Sequence, residues 1–169
     1  KAQNEKIFRI FDKNDQFYFK KIIEIINKEN PDIVHIQHSF ALFGKHFGIP
    51  LIPLLFYLKL KKIPVVTTLH TVWNFGEMKK LPDNFLKISF AKLGFYIMTK
   101  LIEKFSTKII VLNEATKTRL INDYHCQPEK IEIVHYGMKK KSSIPKKTAK
   151  KKLGFSKKFI LLCPGLPYK

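Results

Sequence analysis

The chain is poor in cysteine and in long apolar runs, and each shortage excludes a class of protein. Two cysteines in 169 residues make no disulfide framework, and Cys126 and Cys163 lack the spacing of metal ligands. The longest apolar stretch, residues 47–58, is interrupted by Pro50 and Pro53 and is too short to span a bilayer. We therefore expect reduced, cytoplasmic surroundings, with the inner face of the membrane as one candidate location.

Acidic residues are also scarce. There are 32 Lys and Arg against 13 Asp and Glu, which gives a net charge of +19. This charge indicates either a polyanionic partner, nucleic acid or a membrane surface, or the Lys-rich composition of an AT-rich genome. Arg is preferred for phosphate and base recognition, yet nearly all the basic residues here are lysines. Nucleic-acid binding is therefore the least favoured explanation, and the other two stay open.

The most informative feature of the sequence is a pair of apolar segments that both run into histidine. They are residues 33–38 (IVHIQH) and 64–71 (PVVTTLHT). Each begins as a β-branched run typical of a buried parallel strand. Ligands of open α/β sheets bind just beyond the carboxyl ends of the strands. The two segments therefore predict an active site at one edge of a parallel sheet.

Alternation along the first strand separates its polar residues into two sets. His35 and Gln37 share one face, and Ile36 and His38 share the other. We expect Gln37 and His38 to open towards the active-site edge, and His35 to be buried or packed under a helix.

Helical and strand patterns alternate along most of the chain. The periodicity predicts helices over residues 17–27, 52–61, 85–105 and 114–124, and strands over 33–37, 65–69, 108–112 and 131–134. Asn113 is a plausible N-cap, and residues 71–83 are predicted to form a loop. Such an order requires parallel crossovers and predicts an α/β fold, a Rossmann-like sandwich around a parallel sheet.

The last part of the chain changes composition. Residues 139–152 contain eight lysines and no acid, which is typical of a solvated linker running into a short helix. Residues 159–163 then resemble a first strand. We divide the chain into 1–138, a linker at 139–158, and the start of a second domain at 159–169. Because the chain does not start with Met and no helix follows its last strand, we expect a fragment of a longer protein.

Four blocks resemble family-four retaining glycosyltransferases, most closely their mannosyltransferase-like branch. The blocks are residues 36–44 (IQHSFALFG), 65–72 (VVTTLHTV), 109–113 (IIVLN) and 130–138 (KIEIVHYGM). The resemblance implies a GT-B fold, in which two Rossmann-like domains face each other across a cleft. Residues 1–138 would be the acceptor-side domain without its first strand, and residues 159–169 would begin the donor-binding domain. The fragment alone is then expected to be inactive.

The same resemblance implies a hexosyltransferase, with mannose as a candidate sugar, and assigns roles to residues. His70 would lie beside the reacting sugar as the catalytic contact. Gln37, His38, Thr71 and Trp73 would meet the acceptor, although Trp73 is equally suited to core packing. Leu166 stands where many members have arginine, so the resemblance assigns donor binding to Gly165 and to a basic residue that is either Lys169 or one just beyond it.

The expected partners follow from these assignments. They are a nucleotide-sugar donor and a glycan or lipid-linked acceptor, with no further cofactor, no metal and no nucleic acid. The basic, aromatic-rich helix over residues 85–105 suits either a membrane interface or ordinary packing on the sheet with snorkelling lysines. Two alternatives remain: another nucleotide-sugar enzyme such as an epimerase, and a non-catalytic basic module that binds a membrane or nucleic acid.

Overall fold

The computed structural model describes residues 6–10, 15, 17–39, 48–78, 84–137, 144–156 and 158–159. The chain divides into two units, Lys1–Tyr136 and Gly137–Lys169. The elements of the first unit are α1 (Tyr18–Glu29), β1 (Val34–His38), α2 (Leu51–Leu60), β2 (Val65–Leu69), α3 (Phe75–Met78), α4 (Phe85–Phe105), β3 (Lys108–Val111), α5 (Glu114–Asn122), a 3-10 turn (Pro128–Lys130) and β4 (Ile131–Ile133). The second unit contains α6 (Lys146–Lys152).

The four strands form one parallel sheet in the order β1-β2-β3-β4. This confirms the predicted Rossmann-like α/β fold. Each strand is added at the same edge of the sheet as the one before it. Because parallel crossovers are right-handed, the connecting helices therefore lie on the same side of the sheet. We call that side the helix-covered face; its strand residues are Val34, Ile36, His38, Val65, Thr67, Leu69, Ile109, Val111, Ile131 and Ile133.

The other side of the sheet has a different character, and we call it the open face. Its strand residues are His35, Gln37, Val66, Thr68, Lys108, Ile110 and Glu132. Among the described residues, the buried apolar cluster joins helices α1, α2, α4 and α5 to the helix-covered face and includes none of these seven side chains. His35, Gln37 and Glu132 are exposed. The open face thus carries a mixture of polar and apolar side chains that range from exposed to buried, with Thr68 the buried one.

Local capping explains where several elements begin and end. Asn30 ends α1 in the left-handed conformation (φ 45°), and its N–H donates to the Ile26 carbonyl at 2.9 Å, as an αL cap does. The Asn113 side chain accepts a hydrogen bond from the Thr116 amide at 2.8 Å, which confirms the predicted N-cap of α5. Asn84 caps α4 in the same way.

The main difference from the predicted elements lies after β2. Residues 71–83 were expected to be a loop, but Phe75–Met78 form the short helix α3. The Asn74 side chain accepts from the amides of Gly76 and Glu77 at 2.8 and 3.3 Å. A local cap therefore starts this turn, and a helix this short leaves no periodic signal. The strand predicted at 159–163 lies largely outside the described residues, and the domain boundaries stay a prediction.

A buried carboxylate ties the end of α4 to the segment before β4. The Glu103 carboxylate accepts a hydrogen bond from the backbone N–H of Gln127 at 2.6 Å and forms an ion pair with Lys100. Lys130 donates to the backbone carbonyl of Glu103 at 2.8 Å. Burial alone would raise the pKa of Glu103, but these hydrogen bonds and the charges of Lys100 and Lys130 outweigh it and hold the pKa below its usual value. This connection fixes the position of β4 and of the residues that follow it.

Candidate active site

The carboxyl ends of β1 and β2 lie side by side, as the two histidine-ended segments predicted. The strands pair in parallel with Gln37 opposite Thr68 and His38 opposite Leu69. One residue further on, the His70 amide donates to the His38 carbonyl at 3.0 Å. The backbone of His70 is therefore held directly beyond the last ladder pair, where ligands of parallel sheets bind.

A chain of polar side chains crosses the open face at this edge. The Thr68 hydroxyl is 2.8 Å from His35 Nε2, and His35 Nε2 is 3.2 Å from Gln37 Nε2. Gln37 Oε1 is 2.7 Å from His70 Nε2, and His70 Nδ1 is 3.1 Å from the Tyr136 hydroxyl. We call these five residues, Thr68, His35, Gln37, His70 and Tyr136, the polar chain.

His70 is an exposed member of the polar chain and lies directly beyond the end of β2. Both of its ring nitrogens have hydrogen-bond partners, Gln37 on one side and Tyr136 on the other. The Tyr136 ring also tilts against the imidazole, with the centroids 6.2 Å apart. An exposed imidazole held at both nitrogens can present a ring atom to a ligand at a defined position.

The structure reverses the predicted burial of the β1 histidines. His35, expected to be buried or under a helix, is exposed on the open face, and that prediction is wrong. His38, expected to open towards the edge, has 0% exposure on the helix-covered face. Alternation grouped the residues correctly, but it cannot tell which face the helices cover. That depends on the strand order, which sequence did not reveal.

Burial determines the charge of His38. Desolvation, and secondarily the charge of nearby His70, lower the pKa of His38 to about 4. The ring is therefore neutral at physiological pH. Its assignment to the acceptor stays a prediction, and a direct contact would require the covering residues to move.

The loop after His70 is anchored to α5. Arg119 donates to the Val72 carbonyl at 2.7 Å, and the Tyr124 hydroxyl donates to the Trp73 carbonyl at 2.8 Å. The Trp73 ring stacks on Phe95 of α4 with the centroids 5.4 Å apart, yet 37% of Trp73 remains exposed. The Trp73 ring thus packs on one side and is accessible on the other, and its role at the acceptor stays a prediction.

Of the remaining predicted site residues, the structure describes Thr71. Thr71 is exposed next to His70. Gly165 and Lys169 lie outside the described residues, so their donor-binding roles stay predictions. Within the described part of the chain, no three His, Cys, Asp or Glu side chains come together in a way that could hold a metal ion.

Tyr136 is the site residue that sequence reasoning missed. It lies three positions beyond the end of β4, and β4 is separated from β2 by β3. Its long side chain reaches across this strand to His70. The rule that singled out His38 and His70, polar residues just past a strand's carboxyl end, applies equally to β4 and could have found it.

One comparison with known proteins gives a family match. Residues 8–140 match the family model described as Glycosyltransferase Family 4. The search of curated proteins gave no significant match. The match covers most of the chain, including all four strands and every member of the polar chain. The chain belongs to Glycosyltransferase Family 4, and its general activity is that of a glycosyltransferase.

Proposed function

We propose that this chain is the acceptor-side domain of an enzyme that transfers a hexosyl unit from a nucleotide-sugar to a glycan or lipid-linked acceptor. Mannose is the first candidate sugar, and we propose that the anomeric configuration is retained. The family supports glycosyl transfer in general. The observation that carries the proposal is the exposed His70, held at both ring nitrogens just past the end of β2.

The position of His70 suits the transition state of retaining transfer. The sugar passes through an oxocarbenium-like state while negative charge builds on the leaving diphosphate, so catalysis consists mostly of positioning and charge stabilisation. A neutral imidazole can hydrogen-bond a sugar hydroxyl without adding positive charge beside the cationic sugar. His70 would provide this contact, with Thr71 and the accessible side of Trp73 beside it on the same loop.

The test uses the intact protein with a panel of nucleotide-hexoses and both glycan and lipid-linked acceptors. We expect transfer, strongest with one donor, insensitive to a metal chelator, and giving a product with the donor's anomeric configuration by NMR. An inverted product would contradict retention. Conversion of the donor without any acceptor would favour an epimerase, and salt-sensitive nucleic-acid binding without transfer would favour the non-catalytic module.

We also propose that α4 contacts an anionic membrane, which would bring the site to a lipid-linked acceptor. Its first four turns pack Phe95 and Met98 into the core. On the opposite side of the helix they expose apolar side chains, each more than two-fifths accessible: Leu86, Phe90, Leu93 and Ile97. We call these four residues the apolar stripe.

Charge favours an anionic surface as the occupant of the apolar stripe. Between residues 84 and 102 there are three lysines and no acidic residue. A second copy of this chain would bring together two molecules of charge +19, which repel each other, whereas anionic headgroups attract them. A groove of about 330 Å³ beside the stripe, bounded by Ile49 and Ile52, offers space for a hydrocarbon chain. Among the described residues no helix could cross a membrane.

Vesicle binding tests this contact. The chain should bind vesicles of equimolar phosphatidylcholine and phosphatidylglycerol, and Phe90→Ser should weaken binding about tenfold, since it removes one large apolar side chain from the interface. Phe17→Ser is the matched control, because Phe17 is similarly exposed but lies at the start of α1. Equal binding by both variants, or equal binding to pure phosphatidylcholine, would contradict the proposal.

A further inference from the structure

Gln37 joins two imidazoles on the open face. Its Oε1 lies 2.7 Å from His70 Nε2, and its Nε2 lies 3.2 Å from His35 Nε2. It stands on β1 while His70 follows β2, so it links the ends of the two strands. The sequence assigned Gln37 to the acceptor, but in the structure its amide is directed at His70.

The donors and acceptors of this arrangement determine where the His70 proton lies. An amide oxygen can only accept, so His70 Nε2 must carry the hydrogen of that bond. In a neutral ring Nδ1 then holds a lone pair, and the Tyr136 hydroxyl at 3.1 Å donates to it. Gln37 therefore selects the tautomer, and Nδ1 becomes the atom that accepts a hydrogen bond from a hydroxyl group.

Tyr136 marks the place that a sugar hydroxyl would take. Its side chain is 69% exposed, so moving it away from Nδ1 costs little buried surface. The backbone of His70 is held by its hydrogen bond to the His38 carbonyl. Its remaining conformational freedom lies in the two side-chain torsions, and the hydrogen bond to Gln37 restricts them. Displacement of the Tyr136 hydroxyl would leave Nδ1 pointing at the ligand with the ring already oriented.

We propose that Gln37 is a positioning residue for His70: it holds the imidazole as the Nε2–H tautomer, so that Nδ1 accepts a hydrogen bond from a donor-sugar hydroxyl that replaces the Tyr136 hydroxyl. The catalytic part of this inference rests on the proposed function. The tautomer does not, because it is a property of the chain without any ligand.

The tautomer is tested by imidazole nitrogen NMR of the isotope-labelled full chain at alkaline pH, where histidine side chains are ordinarily neutral. Wild type should show a protonated Nε2 and an unprotonated Nδ1 for His70. Gln37→Met has the same length without hydrogen bonds and should give a mixture of tautomers, whereas Gln37→Glu keeps an acceptor oxygen and should retain the wild-type pattern. Gln127→Met, at an exposed glutamine away from the site, should change nothing.

Transfer kinetics of the intact protein test the consequence. Gln37→Met should lower kcat about 10- to 100-fold, by analogy with the loss of residues that orient metal-bound imidazoles, with a smaller change in the donor KM. Gln37→Glu should recover most of the loss when transfer is measured at alkaline pH, because at lower pH the carboxylate favours a protonated ring whose Nδ1 cannot accept a hydrogen bond. An unchanged His70 tautomer in Gln37→Met, or a protonated Nδ1 in wild type, would overturn the inference.

The failure of the inference is distinguishable from that of the proposed function. If His70→Ala abolishes transfer while Gln37→Met retains full kcat, positioning by Gln37 is wrong and the function stands. If His70→Ala transfers normally, the function assigned to His70 is wrong, and the NMR measurement still decides whether Gln37 selects the tautomer.

Discussion

His38 and His70 show how two adjacent histidines acquire different chemistry. They are linked by a backbone hydrogen bond of 3.0 Å, yet His38 is fully buried and His70 is exposed. Burial, together with the charge of His70, lowers the pKa of His38 to about 4. His38 is thus a neutral core residue beside a ring that faces solvent.

This difference predicts an acid-sensitive contribution to stability. The ordinary pKa of histidine is 6.5, and the pKa of His38 in the folded chain is about 4. Between these two pH values the unfolded chain binds a proton at His38 and the folded chain does not. Stability therefore falls as the pH decreases through that window. The loss from this group is on the order of 2–3 kcal/mol.

Replacement by a residue that does not titrate provides the measurement. His38→Gln should show a shallower decrease in the free energy of unfolding, from denaturant titrations at each end of the window. The slope is the readout, because the substitution also changes packing at every pH. Identical slopes in both proteins would show that His38 titrates normally in the folded state.

Among the helices, α5 shows how a side-chain cap determines where an element begins. The Asn113 side chain accepts from the Thr116 amide at 2.8 Å and from its hydroxyl at 2.9 Å. This places the start of α5, whose Arg119 and the following Tyr124 anchor the loop after His70. The cap is therefore connected to the candidate site through one short helix.

Asn113→Ala should lower the free energy of unfolding by about 1 kcal/mol, the typical cost of losing an N-cap. Asn122→Ala is the control, since Asn122 is exposed at the last position of the same helix and should have little effect. Chemical denaturation of both variants measures the difference. Equal losses would mean that the cap contributes nothing specific.

The elements also show what sequence could and could not predict. The β-branched runs predicted β2 at its observed bounds, Val65–Leu69, and helical periodicity predicted α4 at Phe85–Phe105. His70 could be found because it follows a strand end. The exposure of His35 and the burial of His38 could not, because they depend on which face the helices cover. The strand-end rule also points to Tyr136, but its contact with His70 depends on which strands are neighbours. Those are long-range features that no local pattern contains.

At the scale of the molecule, one face of the sheet builds the core and the other carries the site. The helix-covered face holds the buried apolar cluster, while the polar chain lies on the open face at the carboxyl edge. Thr68 is the buried member of the polar chain, whereas the other four side chains are exposed. Substitutions within the exposed part of the polar chain should therefore affect activity more than folding.

The most direct test of the central claim is transfer by the intact protein carrying His70→Ala. We predict a loss of about 100-fold or more in kcat/KM, the range seen when a group that stabilises the transition state is removed, with an unchanged unfolding midpoint. His125→Asn is the control, since His125 is exposed with φ 51°, a conformation that asparagine tolerates. Full activity in His70→Ala would contradict the account.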